Sequence, residues 1–255
     1  MNSVMDYPLL VFVVSFFVLW ASTRIGAGVL KRRRSLEQDV REDFDVILAA
    51  TLTLLGLIIG FSFSMAINRY DQRKIYEESE ANAIGTEYVR ADLLPSADAA
   101  KVRALVRTYL EQRVLFYTSE DEQELRQADA RTAQLQTELW SAVLAPALAQ
   151  PTPIVALVVS GMNDVLNSQG YTQAAWWNRI PVSAWGLMVA IAICSNLFLG
   201  YGTRNAKSER ILHLVLPLLV SISFFLIADI DSPRHGIIRV KPQNLHSLVE
   251  SLRAH

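Results

Sequence analysis

Asp71, Glu77, Glu78, Glu80, Glu87 and Asp92 crowd one stretch of the chain. Grouped carboxylates can hold a hard cation. No Glu-x-x-His pair of the kind used in di-iron bundles accompanies them. Arg69, Arg73, Lys74 and Arg90 stand among them, many at i, i+3 or i, i+4 spacing from an acid. The expectation is therefore a solvated helix face laced with ion pairs. Asp229 and Asp231 form a second acidic group. Around a turn they could bind Ca²⁺ with help from backbone carbonyls. They could equally cap a helix or pair with Arg234 or Arg239, so they stand as candidate ion-binding residues. His213, His235, His246 and His255 show no H-x-x-x-H or similar ligand spacing, so no zinc site is expected. Cys194 is the single cysteine, which excludes an intramolecular disulfide and a cysteine metal cage. No P-loop, dinucleotide fingerprint or nucleophile elbow is present. No catalytic residue, cofactor or metal is expected, so the chain does not read as an enzyme. Basic residues interleaved with aromatics are also missing, which argues against a nucleic-acid partner.

The elements that must position these residues are mostly apolar. The chain has 255 residues, 51% hydrophobic and 19% charged, more apolar than an average soluble domain. A spanning helix needs about 20 apolar residues. Pro8 to Leu30, Phe44 to Ile67, Pro181 to Gly202 and Ile211 to Ala228 meet or approach that length. No Lys or Arg precedes the first window, so it is expected to stay as a membrane helix rather than act as a cleaved signal. This gives transmembrane helices 1 and 2 in residues 1–67, a helical extramembrane domain over 68–180, helices 3 and 4 in 181–228, and a tail over 229–255 packing on the helical domain. The lipid bilayer is the first expected partner. Lys31, Arg32, Arg33 and Arg34 lie in the first short loop, and Arg204, Lys207 and Arg210 in the last. The positive-inside rule places both loops in the cytoplasm, with the middle domain outside.

The middle domain reads as all helix. Leu94 before Pro95 breaks the chain, and Ser96 is the expected N-cap for a helix over 97–117. Ser119 with Glu122 fits a capping box for a helix reaching about Leu144. After a turn at Gln150 to Pro153, a helix over 154–166 is expected to end at the Asn-Ser-Gln-Gly of 167–170. No segment alternates with the period of a strand.

The second membrane helix carries the features that could form a path for ions. Thr51, Thr53, Ser62, Ser64 and Asn68 are polar, and Gly56 and Gly60 form a small-xxx-small pair. These residues could line a pore or serve ordinary helix packing. Thr53, Leu57 and Phe61 are four apart and stack on one face. Repeated around an oligomer, they would make a narrow constriction able to gate by dewetting. No Pro or Gly interrupts the passage from Ile67 into the polar sequence that follows, so one helix is expected to continue into the water-facing domain.

The junction Leu54 to Tyr70, LLGLIIGFSFSMAINRY, resembles the second membrane helix of the bestrophins. There a Gly-Phe-containing segment ends in Arg and an aromatic, here Asn68, Arg69 and Tyr70 with Phe63 and Ser64 nearby. The longer run SMAINRYDQRK, EANAIGTEYVRADLLP and the tail IADIDSPRHGIIRV are closer still to a bacterial bestrophin-like family. The resemblance implies an all-α protein of the bacterial cytoplasmic membrane, with four transmembrane helices and a helical body. It further implies a homopentameric ion channel with passive flux of inorganic ions, anions in the first instance and cations in some bacterial relatives. Counting back from Arg69 puts the neck on Thr53, Leu57 and Phe61. Thr53 departs from the apolar residue that bestrophins place there, and the tail lacks most of the carboxylate run of the animal calcium clasp. The resemblance puts the middle domain in the cytoplasm, opposite to the positive-inside reading. A membrane-anchored sensor or scaffold, with a helical domain that binds a partner and no pore, is the alternative.

Overall fold

A computed structural model describes residues 4–30, 38–203 and 211–253. Eight α-helices are described. They are α1 (Pro8–Ile25), α2 (Gln38–Arg90), α3 (Ser96–Thr118), α4 (Glu122–Ala149), α5 (Pro153–Trp177), α6 (Val182–Gly202), α7 (Leu212–Asp231) and α8 (Gln243–Arg253). Among the described residues there is no strand. The stretches Pro8–Gly28, Arg41–Leu93, Pro153–Gly202 and His213–Asp231 each hold helix long and apolar enough to cross a membrane, and α6 is the apolar part of the third. The fold is thus all-α, with four membrane-spanning helices. Lys31 to Arg34, Arg204, Lys207 and Arg210 lie outside the described residues.

α2 is one helix of 53 residues without an internal break. At about 1.5 Å per residue it is roughly 80 Å long, far more than a bilayer core requires. Its residues to Tyr70 belong to one compact unit, and those from Asp71 to a second.

The first unit comprises residues 1–70 and 179–239. Here α1 packs on α6 and α7 around Leu19, Leu55, Met188, Ala192, Phe224 and Ile227. The approach of α1 to α6 depends on two glycines. A side chain at Gly200 would collide with the Thr23 carbonyl, and one at Gly26 with the Leu197 carbonyl. Small residues let membrane helices close to backbone contact where lipid supplies no hydrophobic drive. Thr23 and Asn196, both fully buried, meet beside this crossing at 3.1 Å. Phe44 of α2 lies edge-on to Phe198 and Tyr201 of α6.

The second unit comprises residues 71–178 and 240–255. It packs α3, α4, α5, α8 and the distal part of α2 around Ile84, Val106, Tyr109, Leu139, Met162 and Leu245. Three local expectations are corrected here. α5 does not stop at 167–170 but runs to Trp177. Val158, Met162, Val165, Thr172 and Trp176 keep a buried face at helical spacing, and one internal Gly costs only about 1 kcal/mol. α4 begins at Glu122 with Asp121 as its cap, whose side chain accepts from the Gln123 amide. Ser119 instead follows the end of α3 and donates to Glu124. α3 starts at Ser96 itself, after Pro95.

Candidate ion pathway and buried charges

The membrane-crossing part of α2 has one inward side and one open side. Leu55, Ser62 and Ala66 are buried, and their spacing of seven and four puts them on one face. At about 100° per residue, Thr53, Gly60, Leu57, Ser64 and Asn68 centre on the opposite face, with Phe61 at its edge. All six are exposed. Leu57 is 52% and Phe61 65% exposed, high values for such apolar side chains. A Cβ added at Gly56 or Gly60 would meet nothing within 4 Å, so neither glycine serves packing inside this chain. Only 11% of the apolar window of α2 is buried, against 50% for α7. α2 therefore leaves far more apolar surface to be covered from outside the chain. The Thr53 hydroxyl donates to the Ala49 carbonyl at 2.9 Å, which hides its polarity from the open face. Phe63 is 36% exposed, and at the junction Arg69 reaches Met65 while Tyr70 packs on the core of the first unit.

The acidic stretch that follows corrects the expectation of a solvated face. Arg73, Glu77, Glu80 and Glu87 are all at most 2% exposed. They form one inward stripe with Ile84 and Ala91, at alternating spacings of four and three. That spacing is visible in the sequence. Their charged type conceals the burial, because such residues are almost never fully buried without partners.

Most of these charges are matched. Arg73 donates to the carbonyls of Ala175 at 3.2 Å and Asn178 at 3.5 Å, at the C-terminal end of α5, where a cation is favoured. Glu77 accepts from the amides of Asn244 and Leu245, both at 3.0 Å, and from Asn244 Nδ2 at 2.6 Å. It thereby caps the first turn of α8 from another helix. Glu80 pairs with Arg113 of α3, and both side chains are fully buried. Tyr117 and Thr172 also donate to Glu80 Oε2, at 3.3 and 3.0 Å. Burial alone would lower the Arg113 pKa, but the Glu80 carboxylate, with Tyr109 and Tyr117 beside it, raises it overall. Burial next to Glu80 likewise raises the Tyr109 and Tyr117 phenols, so both stay protonated.

Glu87 differs. Neither carboxylate oxygen has a hydrogen-bond partner. Burial pushes its pKa up to about 8, with Arg90 drawing it down and Asp164 adding to the rise. Space for it exists because position 161 is glycine. A side chain there would collide with Glu87 Oε2 and crowd Arg90.

Asp229 and Asp231, both 2% exposed, are held by donors of the first unit. Asp229 accepts from the amides of Ile237 at 2.6 Å and Ile238 at 2.9 Å. Asp231 accepts from Arg179 Nε at 3.1 Å and from the Ile180 amide at 3.2 Å. Arg179 also pairs with Asp6 at 2.7 Å. Among the described residues no group of three or more His, Cys, Asp or Glu side chains is arranged to hold a metal ion.

The sequence profile of the bestrophin-like domain matches residues 9–245. The chain belongs to the bestrophin-like family. The fold agrees with crystal structures of a bacterial bestrophin homologue from Klebsiella pneumoniae. One, a variant, superposes with a TM-score of 0.65 at 10% identity, over 95% of this chain and 98% of that one. A second variant gives 0.64 at 11% identity, over 100% and 97%. A third structure, phased with zinc, gives 0.61 at 11% identity, over 96% and 97%. At such identities the likeness speaks for the fold alone. A search of curated proteins returns no match. Bestrophins are known as ion channels.

Proposed function

We propose that this bestrophin-like protein is a homo-oligomeric, pentameric ion channel of the bacterial cytoplasmic membrane, with passive flux along an axis lined by α2. The observation that carries this reading is the open face of α2. It is the face turned away from the chain's own core, it leaves Leu57 and Phe61 exposed among Thr53, Ser64 and Asn68, and Gly60 on it and Gly56 beside it meet nothing inside the chain. Copies of α2 gathered about an axis would cover it. Thr53, Leu57 and Phe61 form the constriction, whose apolar rings set a dehydration barrier. Gly56, Gly60, Phe63 and Ser64 lie beside it, and Asn68, Arg69 and Tyr70 mark its exit. Anions are the expected ions by family. Asp229 and Asp231 hold the tail turn and the start of α6 rather than an ion. Purified protein in liposomes should pass a halide, and its mass in detergent should be that of five chains. A monomer that passes no ions, tested with halide and with alkali cations, would favour the scaffold and defeat the proposal.

A further inference from the structure

A cleft of about 470 Å³ opens between the ends of α2, α6 and α7 in the first unit. Its volume lies within the range of pockets that enclose a small ligand, roughly 300–1,000 Å³. All three helices grade their lining the same way. On α2, Arg41, Asp45, Leu48 and Leu52 follow at spacings of four, three and four, so they share one face. Leu52 lies about 16 Å beyond Arg41 along the axis, roughly half the hydrocarbon thickness of a bilayer. On α6 the polar Thr203 ends the helix and Leu199 lies one turn deeper. On α7 His213 begins the helix and Leu216 and Leu219 lie deeper. Thr203 Oγ1 and His213 Nε2 meet at 2.8 Å and close the polar end. That end adjoins the interhelical loops in sequence and therefore a membrane surface. The side is open, with Leu219 56% and Val215 41% exposed.

A site polar at the surface, apolar in depth and open sideways has the gradient of a phospholipid. Among the described residues its rim has one cation, Arg41, and one anion, Asp45, a helical turn apart. Arg41 spends one donor on the Gly202 carbonyl at 3.0 Å, and a guanidinium has four more. We propose that this cleft holds one zwitterionic phospholipid with a phosphoethanolamine headgroup. The phosphate lies on Arg41, the ammonium on Asp45, and one acyl chain runs along Leu48, Leu52, Leu216 and Leu219. A purely anionic headgroup would meet Asp45 unfavourably. This site does not depend on whether the protein conducts.

The test is native mass spectrometry of delipidated full-length protein, titrated with phosphatidylethanolamine or phosphatidylglycerol of matched chains. One phosphatidylethanolamine per chain should be retained about tenfold better than phosphatidylglycerol, the discrimination expected of one charge-assisted hydrogen bond. Asp45→Asn should bring the two lipids close to parity. Leu52→Trp should fill the cleft and remove the bound lipid. If that variant does not fold, the headgroup preference of wild type against Asp45→Asn still decides. Equal retention of both lipids by the wild-type protein would overturn the proposal, as would preference for phosphatidylglycerol. A cleft that takes no lipid because a cross-linked second copy covers it would overturn it too.

Discussion

Replacing Glu87 by Gln isolates a single buried proton. The Glu87 carboxyl is fully buried without a hydrogen-bond partner. Its pKa rises from 4.5 to about 8, through burial first, opposed by Arg90 and reinforced by Asp164. Between those two values the folded chain binds a proton that the unfolded chain has lost. Stability should therefore be fullest below pH 4.5 and fall as pH rises through about 8. The slope is about 1.4 kcal/mol per pH step, or on the order of 5 kcal/mol across the whole window. Gln keeps the shape but cannot ionise. Glu87→Gln should match the wild-type protein near the acid end and exceed it by several kcal/mol at the alkaline end. For a chain of this size that converts to about 5–10 °C in the difference between thermal midpoints across two pH steps. Thermal unfolding in detergent, followed by tryptophan fluorescence at stepped pH, reads this difference directly. Parallel wild-type and variant curves over the full range would refute the reasoning, since Glu87 would then carry no proton.

Further outcomes follow from the same geometry. Glu80→Gln strands the Arg113 charge in the core and should cost about 3–5 kcal/mol, whereas pairing it with Arg113→Met should recover much of that; denaturant titration of the three variants checks it. Glu77→Ala removes the cap of α8 and should cost about 1 kcal/mol, seen as faster proteolysis within residues 240–255. Gly200→Ala forces a methyl against the Thr23 carbonyl and should cost about 1–3 kcal/mol or more, while Gly60→Ala meets no atom of its own chain and should raise the thermal midpoint of the dissociated chain slightly, by about 1 kcal/mol of helix preference.

The membrane helices and the unbroken α2 can be read from the sequence because both depend on local pattern. Apolar run length sets the spans, and the lack of Pro or Gly at Ile67–Arg69 lets the helix continue. The stripe of Arg73, Glu77, Glu80 and Glu87 follows a clear period, but its burial depends on distant partners. Arg113, Thr172, Asn244 and the end of α5 supply them, far along the chain. Gly26 and Gly200 were no easier to single out, since the carbonyls they admit come from another helix. The spacing of Gly56 and Gly60 is plain in the sequence, yet a Cβ at either would meet no other element of the chain. The length of α5 turned on the same issue. Gly170 reads locally as a stop, but a buried face on both sides of it keeps the helix intact. For the proposed neck, the spacing of Thr53, Leu57 and Phe61 is legible in the sequence, while their exposure, with Thr53 and Leu57 opposite the buried side of α2 and Phe61 at the edge, depends on how the other helices pack.

The central claim is that ions pass along this open face of α2. Current through planar bilayers holding the wild-type protein, Leu57→Ala, Phe61→Ala and the double variant tests it most directly. Removing these side chains lowers the dehydration barrier, so conductance or open probability should rise in each single variant and most in the double variant. A wild-type current that none of the three substitutions alters would contradict the account.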